Sequence, residues 1–392
     1  MIAQAPRQPP PRQLFGPAVA VGLIGVALMV MGWLTDSGRF FQSYLMAYSF
    51  WLSVGVGSMA IAFIQFLTGG VWGVAVRRVA EAGSATMWLL ALLFVPIMAG
   101  LPVIYPWARP EEVNLDPLLQ FKSAYLNVPF FVSRAILYFA CWWVLSLLLT
   151  RWSRAQDEAG DAFTHRRLRR LSTIGAMLLG LTGSFAAIDW LMSLEPHWYS
   201  TVYGAMVAMG MVLTAFAFII LVVLWQGRRE PLEMVLTRPL LNELGSLLLA
   251  FLMLWAYMAY FQYLLIWSGN LTEEIPWFIQ RLAGSWQAVA LVVAIGGFAV
   301  PFFLLLFRGL KRDPTWLARI AGFLLVMRLV TNYWLVEPAF YPTAVVPHWL
   351  DLVTVIGLGG LWLAAFSRAL AASPLVPPND VRLQSLAERA HG

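Results

Sequence analysis

Ten apolar runs of about 20 residues set the possibilities for this chain; they lie near 14–34, 44–67, 85–104, 130–150, 171–193, 202–225, 241–267, 285–307, 317–336 and 350–370. A helix rises 1.5 Å per residue, so such a run crosses the roughly 30 Å hydrocarbon core of a bilayer. Lipid offers an open backbone no hydrogen-bond partner, and each run is therefore expected to be helical. The runs do not alternate apolar with polar residues, which excludes a β-barrel. Composition agrees: 60% of residues are hydrophobic and 12% charged, where a soluble domain carries about 25% charged residues. The expected fold is an all-α integral membrane protein of about ten transmembrane helices, a single polytopic domain over residues 1–392. The longest connections are expected at 106–129 and 151–170, too short for a soluble domain.

The formal charge of +6 does not point to nucleic acid. Basic residues sit in short connections between apolar runs rather than on one face of a soluble domain, so the bilayer is the expected partner. With the chain starting on the cytoplasmic side, inner segments hold all but six of the 26 Lys and Arg, including Arg77, Arg78 and the Arg151–Arg170 cluster. The exceptions are Arg39, Arg109, Lys122, Arg134, Arg281 and Arg328. The outer connections carry Asp36, Glu111, Glu112, Asp116, Glu195, Glu273, Glu274 and Glu337. This asymmetry is the positive-inside pattern, and one helix more or fewer would spoil it. Both termini are expected to be cytoplasmic. The Pro-rich start carries Arg7 and Arg12 but no small-residue cleavage site precedes the second run, so the first run is expected to stay as a helix.

Two short patterns occur twice. Val128-Pro-Phe-Phe-Val-Ser-Arg134 resembles Ile275-Pro-Trp-Phe-Ile-Gln-Arg281, 147 residues later. Glu195-Pro-His-Trp-Tyr-Ser-Thr201 resembles Glu337-Pro-Ala-Phe-Tyr-Pro-Thr343, 142 residues later. Each pair occupies equivalent places in the topology and the order is kept. The expectation is an internal repeat over about 40–201 and 202–343, with helices 2–5 and 6–9 as duplicated four-helix bundles flanked by helices 1 and 10. Parallel repeats of this kind place functional sites within or between bundles. The Glu-Pro pairs also have a plain structural role, because proline cannot extend a helix and the following aromatics suit the membrane interface.

Membrane haem needs axial ligands within the bilayer, yet His165, His197, His348 and His391 all fall outside the runs. Cys141 is the single cysteine, which leaves no disulfide, haem-attachment motif or iron–sulfur ligand set. No metal, nucleotide or catalytic motif stands out, and the chain is expected to bind no redox cofactor itself.

Ionisable groups inside apolar runs are expensive and therefore informative. Asp189 is expected roughly 10 Å below its helix end and Arg328 about 15 Å below its own. Thr182, Asp189 and Ser193 share one helical stripe; Arg328, Thr331 and Asn332 share another. The two stripes are expected to meet, either as a structural ion pair between helices five and nine or as the lining of a proton path. Glu243, with Asn242 and Ser246, opens helix seven, as an acid favoured by the helix dipole or as the inner mouth of that path. Tyr257, Tyr260, Gln262 and Tyr263 enrich the other half of the same helix. They are either packing and interface anchors or groups able to hold a quinone ring. Arg134 and Arg281 at helix ends can snorkel to the interface.

The run Asp189-Trp-Leu-Met-Ser-Leu-Glu-Pro-His-Trp-Tyr-Ser-Thr-Val-Tyr-Gly204, together with Gln262-Tyr-Leu-Leu-Ile-Trp-Ser-Gly-Asn270 and Glu273-Glu-Ile-Pro-Trp277, resembles the signature of ActF-like subunits of bacterial alternative complex III. These belong to the NrfD-like, polysulfide-reductase-type membrane family. The likeness extends over nearly the whole chain. It implies a bacterial inner-membrane subunit, free of redox centres, of a quinol:cytochrome c (or other periplasmic acceptor) oxidoreductase. The implied partners are a sister NrfD-like chain, a periplasmic iron–sulfur protein and haem c subunits, and the implied ligand is a quinol such as menaquinol. From their places in the runs, Asp189, Ser193, Thr182, Arg328, Asn332 and Glu243 are candidates for proton translocation. His197, Tyr199, Gln262, Tyr263 and Arg134 are candidates for quinone binding. Two other readings stand beside it: a purely structural anchor of the same complex, and a stand-alone secondary transporter.

Overall fold

A computed structural model describes residues 14–159, 162–227 and 232–377. The Pro-rich start, Arg228, Arg229 and the tail with His391 lie outside the described residues. Ten helices are long and apolar enough to cross a membrane: Phe15–Thr35, Ser37–Thr68, Trp72–Ala99, Val128–Asp157, Phe163–Leu194, Tyr203–Gln226, Arg238–Gly269, Trp286–Leu306, Pro314–Ala339 and Trp349–Leu370. No strand occurs among the described residues. The chain is an all-α, multi-pass membrane protein.

The spans pack in chain order. The second contacts the third, the third the fourth, the fourth the fifth, and the fifth returns to the second. The sixth to ninth close a second ring in the same manner. The second and sixth spans join the two rings and are the most deeply buried, while the first, seventh and eighth present most of their surface outward. Outward-facing apolar side chains such as Leu137, Met177, Leu254 and Phe303 are what a lipid-facing surface requires.

The two flanking helices do not stand on opposite sides of the rings. The first span packs along the tenth, and both lie against the second. Small residues permit this approach: a Cβ on Gly25 would overlap Gly357 Cα, and one on Gly360 would strike the Gly22 backbone. Membrane helices lack a hydrophobic drive toward each other, so close backbone contact carries much of the association.

Two boundaries differ from those expected. The third span begins at Trp72 rather than near 85, so Arg77, Arg78 and Glu81 lie inside it and are buried. Mutual pairing makes this possible. Arg77 Nε donates to Glu81 Oε1 at 2.9 Å, Arg78 Nη1 donates to Glu81 Oε2 at 2.8 Å, and Arg78 Nη2 also pairs with Asp157 of the fourth span. Ser153 Oγ accepts from both arginines and donates to Glu81 Oε1 at 2.5 Å. The stretch 151–170 is not an extended connection: the fourth span continues to Asp157 and the fifth starts at Phe163. The eighth span carries a π-helical turn at Ile295–Ala299 just before Pro301, whose missing N–H interrupts the ladder.

Gly25→Leu is expected to lower stability by about 1–3 kcal/mol through overpacking. Gly16→Ala, with nothing within 4 Å of the added methyl, should lower nothing. Thermal unfolding of the purified protein in detergent measures both; equal melting of Gly25→Leu and the native chain would rule out the close helix pair.

Candidate functional site

The Glu-Pro turns, the 105–127 connection and the segment 270–285 lie together at one face of the helix array, and the chemistry concentrates there. Short helices Pro110–Leu115 and Pro117–Lys122 fold over the end of the fifth span. Each begins on a proline, which suits the first helical position, and Asp116 caps the second by accepting from the amides of Leu118 and Leu119.

Beneath them Asp189, 1% exposed, is clamped. Arg134 grips it with two donors, Nε to Oδ2 at 2.8 Å and Nη2 to Oδ1 at 3.0 Å. Tyr125 donates to Oδ1 at 2.9 Å and Tyr138 to Oδ2 at 2.8 Å. The guanidinium also donates to the Tyr125 carbonyl at 3.0 Å and lies 3.9 Å from the Tyr125 ring centroid and 4.3 Å from that of Phe130. Burial, and after it the Asp189 carboxylate, holds the Tyr125 phenol well above its ordinary pKa, so it serves as a donor. The expected pairing of Asp189 with Arg328 is corrected here: the counter-ion is Arg134, supplied by the neighbouring antiparallel helix.

Above this clamp, Glu195 receives Arg281 Nη2 at 2.5 Å and Nη1 at 3.3 Å. Arg281 also donates to the Leu335 carbonyl at 3.0 Å and stacks 3.8 Å from the Trp277 ring. Trp277 in turn stacks on Trp198, with centroids 4.5 Å apart and planes 15° apart. The second Glu-Pro turn is handled alike: Glu337, fully buried, pairs with Arg39 at 3.3 Å, and Arg39 also donates to Asp351 at 2.9 Å.

Between the short helices, the Glu195 turn and segment 272–280 opens a cleft of about 1280 Å³. Its walls are mainly apolar, with Phe121, Met192, Trp198 and Trp277 among them, and Asp116, Lys122, Glu195, His197, Glu273 and Gln280 are among its polar groups. Lys122 Nζ donates to the Pro196 carbonyl at 2.6 Å and lies 5.7 Å from the Tyr199 ring. Burial lowers the pKa of this ammonium, with the nearby Asp116 acting in the opposite direction. His197 Nε2 stands 2.7 Å from Asp116 Oδ2. A mostly apolar hollow with a few convergent polar groups is the usual form of a small-molecule site.

The structure gathers some sequence candidates and separates others. His197, Tyr199 and Ser193 line the cleft, and Tyr125, another lining residue, links it to Asp189 and Arg134. Ser193 Oγ donates to the Asp189 carbonyl at 2.5 Å. Thr182 lies two turns deeper, accepting from Trp142 Nε1 at 2.8 Å and donating to the Leu178 carbonyl. Tyr263 and Gln262 do not line the cleft. Tyr263 packs edge-on against Phe278 at 5.2 Å, and Gln262 is buried with neither amide atom partnered among the described residues. Arg328 is in the other ring, donating to Thr214 Oγ1 at 3.2 Å with its guanidinium 4.5 Å from the Trp255 ring. Asn332 bonds the Met46 carbonyl at 2.6 Å and Ser49 Oγ at 2.9 Å, and Glu243 is half-buried at the far end of the seventh span.

Sequence reasoning did not single out Lys122, Tyr125, Tyr138 or the Glu81 cluster. Only the last had a legible signal: Glu81 stands four residues after Arg77 and three after Arg78, the spacing of helical ion pairs. Among the described residues no group of three His, Cys, Asp or Glu side chains comes together as a metal-ligand set. The sequence matches no protein-family model and no curated protein.

Asp189→Asn is expected to cost about 3–5 kcal/mol, because it strands the Arg134 charge in a dry site. Tyr138→Phe removes one hydrogen bond to a carboxylate and should cost about 1.5–3 kcal/mol. Melting temperatures of the two purified variants test this order; an Asp189→Asn protein as stable as the native one would show that the clamp is not structural.

Proposed function

We propose that this chain is a membrane subunit, carrying no redox centre of its own, of a multi-subunit bacterial quinol oxidoreductase that passes electrons to a cytochrome c or another periplasmic acceptor. It lies in the plasma membrane with the Glu-Pro face toward the periplasm and both termini in the cytoplasm. A quinol headgroup of the menaquinol class occupies the cleft against Trp198, Tyr199 and Trp277. A sister NrfD-like chain, an iron–sulfur protein and haem c subunits complete the assembly. The observation that carries this reading is the cleft itself, an apolar hollow of about 1280 Å³ walled by the Glu195–Thr201 motif that bears the family resemblance. Drug-sized ligand sites occupy roughly 300–1,000 Å³, so a bicyclic headgroup fits with room for the start of its tail.

The candidates for proton translocation form separate islands rather than one file. Asp189 is saturated by four donors, whereas Arg328 and Asn332 bond within the other ring and toward the second span. This favours quinone binding at the cleft over a proton path through Asp189, and gives Asp189 the role of a fixed support.

Two measurements test the reading. The chain, tagged and isolated in mild detergent, is expected to bring c-type haem absorbance and iron in stoichiometric partners; a chain that runs alone would favour the transporter. Cysteines placed at Pro110 and Glu273, with Cys141 as the only native thiol, should react with an impermeant maleimide added to intact spheroplasts. Reaction only after the inner face is opened would reverse the assigned orientation.

A further inference from the structure

Most of the ionisable groups on or just behind the cleft wall are engaged by a partner. Asp189 is clamped behind Tyr125, Glu195 is held by Arg281, and the Lys122 ammonium donates to Pro196. His197 differs. Its side chain is 66% exposed and its Nε2 lies 2.7 Å from Asp116 Oδ2. A carboxylate only accepts, so Nε2 is the nitrogen placed to present a proton to Asp116, and in that neutral tautomer Nδ1 has the lone pair.

Both members of this pair are anchored through backbone. Asp116 Oδ1 accepts from the Leu118 amide at 2.9 Å, which fixes the carboxylate and leaves Oδ2 for the imidazole. The carbonyl of Pro196, the residue before His197, is held by Lys122 at 2.6 Å. The pair is also a partition. A second cleft of about 360 Å³ lies beside the large one, and the two share Pro106, Asp116, Pro196 and His197 as lining. On one side stand the aromatic rings of the large cleft; on the other the small cleft leads to Glu112 and Leu115.

Resting on the quinol reading above, we propose that His197 is the proton acceptor for a hydroquinone bound in the large cleft and that Asp116 relays the proton into the smaller cleft. The hydroquinone O–H bond breaks and its proton forms an N–H bond at His197 Nδ1. The bonding pair stays on oxygen, leaving a hydroquinone monoanion, and no electron moves in this step. The imidazolium is stabilised by Asp116 directly against Nε2. Loss of the Nε2 proton by way of Asp116 Oδ2 returns a neutral ring. The other charges facing His197 are Lys122 from the same short helix, Glu112 across the small cleft, Glu195 on its own turn and Glu273 opposite. Of these groups His197 is the imidazole, the side chain that most often serves as a general base.

The test uses the isolated complex in nanodiscs, with a photoreactive azido-naphthoquinone as binding probe and menadiol oxidation by ferricyanide as turnover assay. His197→Gln and Asp116→Asn are compared with the native complex, each checked for assembly by its haem content. Labelling of peptides from 190–200 and 272–280 is expected in all three. His197→Gln should lose about 100-fold in kcat with little change in KM and should lose the acidic limb of the pH profile. Asp116→Asn should move that limb to lower pH, because the imidazolium has lost its counter-ion. Equal labelling with kcat and acidic limb unchanged in both variants would overturn the relay and leave the quinol reading standing. No labelling of the cleft in the native complex would overturn the quinol reading and the relay with it. If His197→Gln does not assemble, the shift in Asp116→Asn decides between these outcomes.

Discussion

Taking a guanidinium or carboxylate out of water costs several kcal/mol per ion, and only a well-placed counter-ion with further hydrogen bonds offsets it. This chain satisfies that requirement several times with arginine, whose planar fork suits two carboxylate oxygens at once. Arg77 and Arg78 share Glu81 and tie the third span to the fourth through Ser153 and Asp157. Arg134 ties the fourth span to the fifth through Asp189. Arg281 and Arg39 hold the two Glu-Pro turns. Lipid provides little hydrophobic drive between helices, so these clamps, together with close contacts such as Gly25 on Gly357, set which helices are neighbours. Arg328 is the contrasting case, with Thr214 and the face of Trp255 around it instead of a carboxylate.

The ten crossings were legible because the bilayer demands a long apolar run whatever the rest of the chain does. The ends were less so, because a helix can continue past the hydrocarbon: the second span starts at Ser37 and the seventh at Arg238, each ahead of its apolar run. The third span begins ahead of its apolar run because Arg77 and Arg78, expected in an inner connection, are made interior by Glu81, Ser153 and Asp157. Asp189 and Arg328 were rightly singled out as buried, yet their pairing was not as expected. Sequence spacing gives depth along a helix; the partner also depends on rotation about the axis and on which helix stands alongside. His197 and Tyr199 were visible because the Glu-Pro motif carries them to one turn. Asp116 and Lys122 stood out only by charge and not as site residues, since one caps and the other ends a six-residue helix of a long connection with no periodicity to announce it.

The two motif pairs relate Arg134 to Arg281 and Glu195 to Glu337. Under a duplication with a two-fold relation between halves, the pair Arg281–Glu195 has a counterpart in Arg134–Glu337. The structure pairs them otherwise. Arg134 is taken by Asp189, and Glu337 by Arg39. The position 142 residues after Asp189 is Thr331, so the second half offers no carboxylate at the matching depth. Asp189 thus engages Arg134, while Glu337 pairs with Arg39 and is fully buried. Glu195 stays partly exposed on the wall of the cleft, beside the turn that carries His197. The asymmetry changes which turn is exposed. Two identical turns would be equally closed or equally open, whereas here Glu337 is buried in the packing between halves and the other turn forms part of an accessible hollow. Asp189 acts on the cleft from below, by fixing Arg134 and the wall residue Tyr125.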